Sequence, residues 1–103
     1  MLLVELEPRW LSANVFTFRC PHCRNIWLTC KNVVLDRKAQ LELVVAADLD
    51  PNGPSYGAVL MKEGVSWIWD TTDFSTMSVT PSLDASASGH WHGFITNGEI
   101  TTA

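Results

Sequence analysis

Basic residues nearly vanish from the second half of this chain. Residues 46–103 hold one, Lys62, against seven acidic side chains, whereas residues 1–45 hold six basic and four acidic ones. General nucleic-acid binding needs a basic footprint, so a net charge of −4 with an acidic second half argues against it. An acidic patch meeting a basic protein, or mimicking DNA, is compatible with this balance. A solvated surface is the plainer reading.

Long apolar runs are missing too. No stretch reaches the roughly 18 apolar residues of a membrane span. The opening MLLVELEPRW has no basic leader, and acids interrupt its apolar run, so no secretory signal is expected. These absences lead to the expectation of a cytoplasmic protein with no membrane partner. Cysteine is scarce and odd in number, at three, which disfavours a disulfide framework and suits a reducing compartment. Internal repeats, linkers and long amphipathic helices are absent, so residues 1–103 read as one domain. Charged residues are only 17% of the chain, a hint that a protein partner, or a second copy in a homo-oligomer, covers part of the surface. A chain this short buries a modest core, and a metal would help to hold it.

What is present is mostly strand. LLVEL alternates weakly and stops at Pro8. NVFTFRC has Val15, Thr17 and Arg19 on one face and Phe16, Phe18 and Cys20 on the other, the period of a strand running into the first cysteine. NIWLTCKNVVL is rich in β-formers. AQLELVVAADL fits helix or strand, and DPNGPSYG is loop. AVLM-KEG-VSWIWD reads as a hairpin with Val65, Trp67 and Trp69 on one face. SLDASASG reads as a small-residue loop. HWHGFI-TNG-EIT closes the chain as a hairpin around Asn97-Gly98. The expected fold is mainly β: one small domain of short antiparallel strands with a CxxC knuckle, a C-terminal hairpin and room for one short helix.

Two readings compete for Cys20-Pro21-His22-Cys23. In the metal reading, two thiolates of a tight knuckle join His90 and His92. Side chains two apart on a strand share a face, so both imidazoles converge on one ion. Cys20, Cys23, His90 and His92 form a standard zinc set, and sulfur with imidazole selects zinc over magnesium or calcium. Cys30 and His22 are alternative ligands, although Cys30 reads first as core and His22 as solvent-facing. Trp27, Trp67, Trp69 and Trp91 read as core, with a binding face as their other use. In the redox reading, CPHC resembles a thiol oxidoreductase motif, with VTPSL around Pro81 as the loop facing it. That reading requires a helix after Cys23, where β-formers stand, and a cis Pro81 facing the pair.

CPHC, WIWD, TPSLD and GHWHGFITNGEI together resemble a family of small zinc-knuckle proteins of tailed phages, prophages and bacteria, some labelled ammonia monooxygenase. The resemblance runs from Phe18 to Ile100. It implies a zinc-bearing β domain with Cys20, Cys23, His90 and His92 as ligands, Pro81 and Ser82 shaping the turn before the site, and Gly98 in the hairpin. Many relatives have a cysteine where this chain has His90. The resemblance implies no particular activity, and these residues give the monooxygenase label no support. The expected role is a phage- or prophage-type zinc-binding factor, in the host cytoplasm, that binds a protein as an accessory or host-directed factor. The enzymatic alternative is a zinc hydrolase held by Cys20, Cys23 and one histidine, with Asp70 or Asp84 as base. Asp70 reads first as a turn residue, as does Asp73.

Overall fold

The computed structural model of the protein describes residues 1–24, 27–33, 38–39, 42, 66–84, 86 and 89–103. Among the described residues, two antiparallel sheets form. The first has the order β1-β2-β3, with β1 Arg9–Ser12, β2 Val15–Arg19 and β3 Trp27–Lys31. The second has the order β4-β5-β6-β7, with β4 Ile68–Trp69, β5 Val79–Asp84, β6 His92–Thr96 and β7 Glu99–Thr102. The mainly β expectation holds. Lys38, Ala39 and Glu42 are helical, while most of AQLELVVAADL, all of DPNGPSYG and most of the AVLM-KEG-VSWIWD hairpin lie outside the described residues.

The period-two reading of NVFTFRC describes β2. Phe16, Phe18 and Cys20 are fully buried in a core shared by both sheets. Thr17 on the opposite face is buried as well, and its hydroxyl donates to the Leu28 carbonyl at 2.8 Å, so the buried polar group is satisfied. Trp27, also buried, is flanked by the guanidinium groups of Arg9 and Arg19 at 4.9 and 4.3 Å from the ring. The sheets meet where the Trp67 amide donates to the Lys31 carbonyl.

LLVEL is not a strand. Leu3–Leu6 forms a 3-10 turn in which Leu3 and Leu6 are both buried. Residues three apart eclipse in a 3-10 turn, so one face of a single turn buries both leucines. The Glu5 carboxylate accepts the Leu2 amide at 2.6 Å and helps to close it. This segment then lies along β7, with the Ile100 amide donating to Met1 and the Leu3 amide to Gly98. It covers backbone groups that an edge strand would otherwise expose.

The C-terminal hairpin forms as expected. Asn97 and Gly98 have φ of 51° and 76°, the paired positive values that a two-residue I′ turn requires. SLDASASG is loop only in part, because Ser82, Leu83 and Asp84 belong to β5. Pro81, with no N–H to give, falls inside an irregularity of the β5–β6 ladder between Val79 and Leu83. Trp67 and Trp91 are core, and Trp69 packs against it from the edge, beside Trp10 and Phe16. Asp70 and Asp73 are turn residues. Asp70 accepts the Ser78 amide at 2.8 Å, and Asp73 accepts the Ser75 amide and hydroxyl, which hold its carboxyl below the ordinary range.

Candidate metal centre

Cys20 follows directly on β2 and keeps the inward facing of Phe16 and Phe18, so its thiol is fully buried. Pro21 then ends the strand. Residues 21–23 turn, and the Arg24 amide donates back to the Cys20 carbonyl at 2.9 Å, with Arg24 itself at φ 58° in the left-handed region. This closure folds Cys23, which is exposed, back towards Cys20. The knuckle is the connection of a hairpin, since β3 resumes at Trp27 opposite Arg19.

His90 arrives from the other sheet. The Asp84 carboxylate accepts the Ser86 amide and hydroxyl at 2.9 and 2.6 Å, and the Ser86 carbonyl accepts the Gly89 amide at 3.0 Å. Gly89, at φ 79°, makes the bend immediately before His90. On the other side, the buried Trp91 meets Phe18 edge to face at 6.3 Å and donates its indole N–H to the Thr102 hydroxyl at 3.2 Å. Phe18 is two residues before Cys20, and Trp91 is next to His90. Their contact therefore aligns the two segments that carry the thiols and the imidazole.

The outcome is a compact donor set. One ligand atom each from Cys20, Cys23 and His90 lies within 4.8 Å of the others, and Cys23 Sγ is 3.6 Å from His90 Nδ1. A tetrahedral zinc with Zn–S of about 2.3 Å and Zn–N of about 2.05 Å places its sulfur and nitrogen about 3.6 Å apart. A bare thiol–imidazole hydrogen bond also tolerates that separation, but it leaves the nearby Cys20 thiol without a role. Burial is graded across the set: Cys20 is buried, His90 half-buried and Cys23 exposed.

His92 stands outside this group. The expectation that His90 and His92 converge requires both to lie on one strand. The strand begins only at His92, and the Gly89 bend sets His90 apart from it. Along β6 the inward positions are Gly93 and Ile95, in step with Trp91, whereas His92 shares the other face with the exposed Phe94 and Thr96 and pairs with Asp84. The signal was in the sequence: a tryptophan between two histidines goes to the core and turns a histidine on the same strand outward. No sequence signal points to the Asp84–Ser86–Gly89 scaffold.

The remaining candidates also lie outside the group. Cys30 is fully buried on β3, and desolvation raises its thiol well above the ordinary 9.0, against a smaller lowering by Lys31. His22 is exposed on the knuckle. Asp70 and Asp84 accept hydrogen bonds in turns, and neither belongs to the donor group. The thiol oxidoreductase reading needs a helix after Cys23. The Thr80–Pro81 bond is cis, but strand β3 stands where that helix belongs.

Among the described residues, no helix is long and apolar enough to cross a membrane. Comparison with protein-family models, with curated proteins and with solved structures gives no match.

Proposed function

We propose that this chain is a small β domain that holds one zinc ion through Cys20, Cys23 and His90 and acts by binding another protein. The observation that carries the metal is the 3.6 Å approach of Cys23 Sγ to His90 Nδ1 beside the Cys20 thiol, which is the spacing tetrahedral coordination demands. Two sulfurs and an imidazole are a soft to borderline donor set, which selects zinc over magnesium or calcium. The ion would pin the knuckle of the first sheet to the start of β6 in the second, a structural use of the metal.

The binding role is supported by surface character. Ile68 on β4 and Phe94 on β6 are 71% and 44% exposed, on a chain in which charged residues are few. Resemblance to phage and prophage zinc-knuckle proteins supports an accessory or host-directed role for that binding.

Metal content per chain, measured by elemental analysis on protein purified without chelator or affinity metal, tests the first half. About one zinc per chain, lost in Cys20→Ser and His90→Ala, is the expected outcome; protein that folds with no metal and retains none when zinc is supplied would sink it. Pull-down with wild type against the double variant Ile68→Ser, Phe94→Ser tests the second half. Equal capture by both would reject the apolar face as the contact.

A further inference from the structure

Among the described residues three protein donors come together, which leaves a tetrahedral ion one position short. Resting on the metal reading above, we propose that the fourth position is open to solvent and takes a monodentate ligand from outside the chain, a water molecule that an imidazole or a small anion displaces. In balance, the metal–water bond breaks, a metal–nitrogen bond forms and the water leaves; no electron moves.

The donor set itself points outward. Cys20 is the buried ligand and lies on the core side, while Cys23 is exposed and His90 half-buried. An ion bonded to all three has its inner side occupied by Cys20, so its remaining direction faces the surface. Among the described residues, the chain's own candidates for that direction are placed elsewhere. His92 lies on the outer face of β6 opposite Asp84. Cys30 is in the core on β3, across from Phe16. His22 is exposed on the knuckle, and Asp84 holds the Ser86 turn. None of the four joins the group in which donor atoms lie within 4.8 Å of one another. Two thiolates also neutralise the charge of a divalent ion, so the open position accepts a neutral imidazole as readily as an anion. A histidine of a protein partner carries that donor. An open metal position beside an exposed knuckle therefore gives the proposed interaction a chemical anchor, and a mechanism that a closed four-ligand site lacks.

Cobalt(II) is the probe, because its visible bands report coordination number and ligand type. Wild-type protein reduced under inert gas and titrated with cobalt is expected to bind one ion with thiolate charge-transfer bands. Addition of imidazole, and separately of azide, is expected to shift the d–d bands saturably, with one ligand per cobalt and with cobalt retained on gel filtration. His92→Ala, His22→Ala and Cys30→Ala are expected to leave both the starting spectrum and the imidazole shift unchanged. Cobalt bound with thiolate bands but inert to both ligands would overturn the open position alone, and the variant whose starting spectrum changes would then identify the chain's fourth ligand. Failure to bind cobalt or zinc at all would overturn the metal reading together with this inference.

Discussion

The Cys23 thiol lies 3.6 Å from the Nδ1 atom of His90, although 67 residues of chain separate them. Any bond through a shared ion closes a loop of that length. In the chain-entropy treatment, a covalent link across such a loop removes at most about 4 kcal/mol of unfolded-state freedom, and a metal clasp works in the same way. Chelation of the wild type is therefore expected to cost about 2–4 kcal/mol, a fall in Tm of roughly 10–20 °C for a domain of this size. Cys23 is exposed, so Cys23→Ala disturbs little packing. Its Tm is expected to match that of the chelated wild type and to ignore chelator. Thermal unfolding followed by circular dichroism, with and without chelator, checks this; a chelator effect that survives in Cys23→Ala would count against the clasp.

Gly93 controls His90 from a distance. A Cβ added there would collide with the Thr101 carbonyl oxygen and with the Trp91 ring, which lies over the glycine. Gly93→Ala must displace Trp91, whose contact with Phe18 aligns His90 with the knuckle. Overpacking of this kind costs about 1–3 kcal/mol. The expected result is that loss of stability, together with weaker cobalt binding measured by competition with a chromophoric chelator. Gly89→Ala meets open space but forces a left-handed residue at the bend, so it is expected to weaken binding with a smaller loss of stability.

These couplings mark how much of the molecule its sequence made legible. β2, the knuckle and the final hairpin were readable because each depends on local signals: alternation, a CxxC spacing and an Asn-Gly turn. Of the proposed ligands, Cys20, Cys23 and His90 come together, and all three were readable as metal-binding types. Grouping His92 with them requires a strand from His90, two residues before β6 begins. LLVEL alternates like a strand, yet a single 3-10 turn buries residues three apart, a spacing too short to register as a helix. The scaffold of Asp84, Ser86 and Gly89 was invisible, because side-chain to backbone bonds in a small-residue loop leave no periodic trace.

Asp84 separates a positioning role from a catalytic one. Its Oδ1 accepts two bonds from Ser86, and an asparagine can accept both. Asp84→Asn is expected to keep cobalt affinity within about twofold. Asp84→Ala is expected to lower it by roughly five- to a hundredfold, since two turn bonds worth about 0.5–1.5 kcal/mol each are lost. Equal losses in both variants would show that the negative charge, not the turn, is what matters.

Cys30 should make stability fall at alkaline pH. Burial raises its thiol well above 9.0, so the folded protein holds that proton more tightly than the unfolded chain does. The stability tied to it is fully present below the unfolded thiol value, and it is lost as pH rises beyond that value towards the folded one. From about pH 8.5 upward, this one group lowers stability by up to about 1.4 kcal/mol per pH unit. Cys30→Ala costs some packing at pH 7 but removes this dependence. Urea unfolding at pH 7, 9 and 10 is therefore expected to show the wild type and the variant converging as pH rises. Parallel curves would mean that the Cys30 thiolate is tolerated in the fold. The same burial predicts that iodoacetamide at pH 8 leaves Cys30 unlabelled in the native protein. Cys23 is expected to become labelled once metal is removed, because it is the exposed thiol of the three. Mass spectrometry of the labelled peptides distinguishes the three thiols, and early labelling of Cys30 would contradict its place in the core.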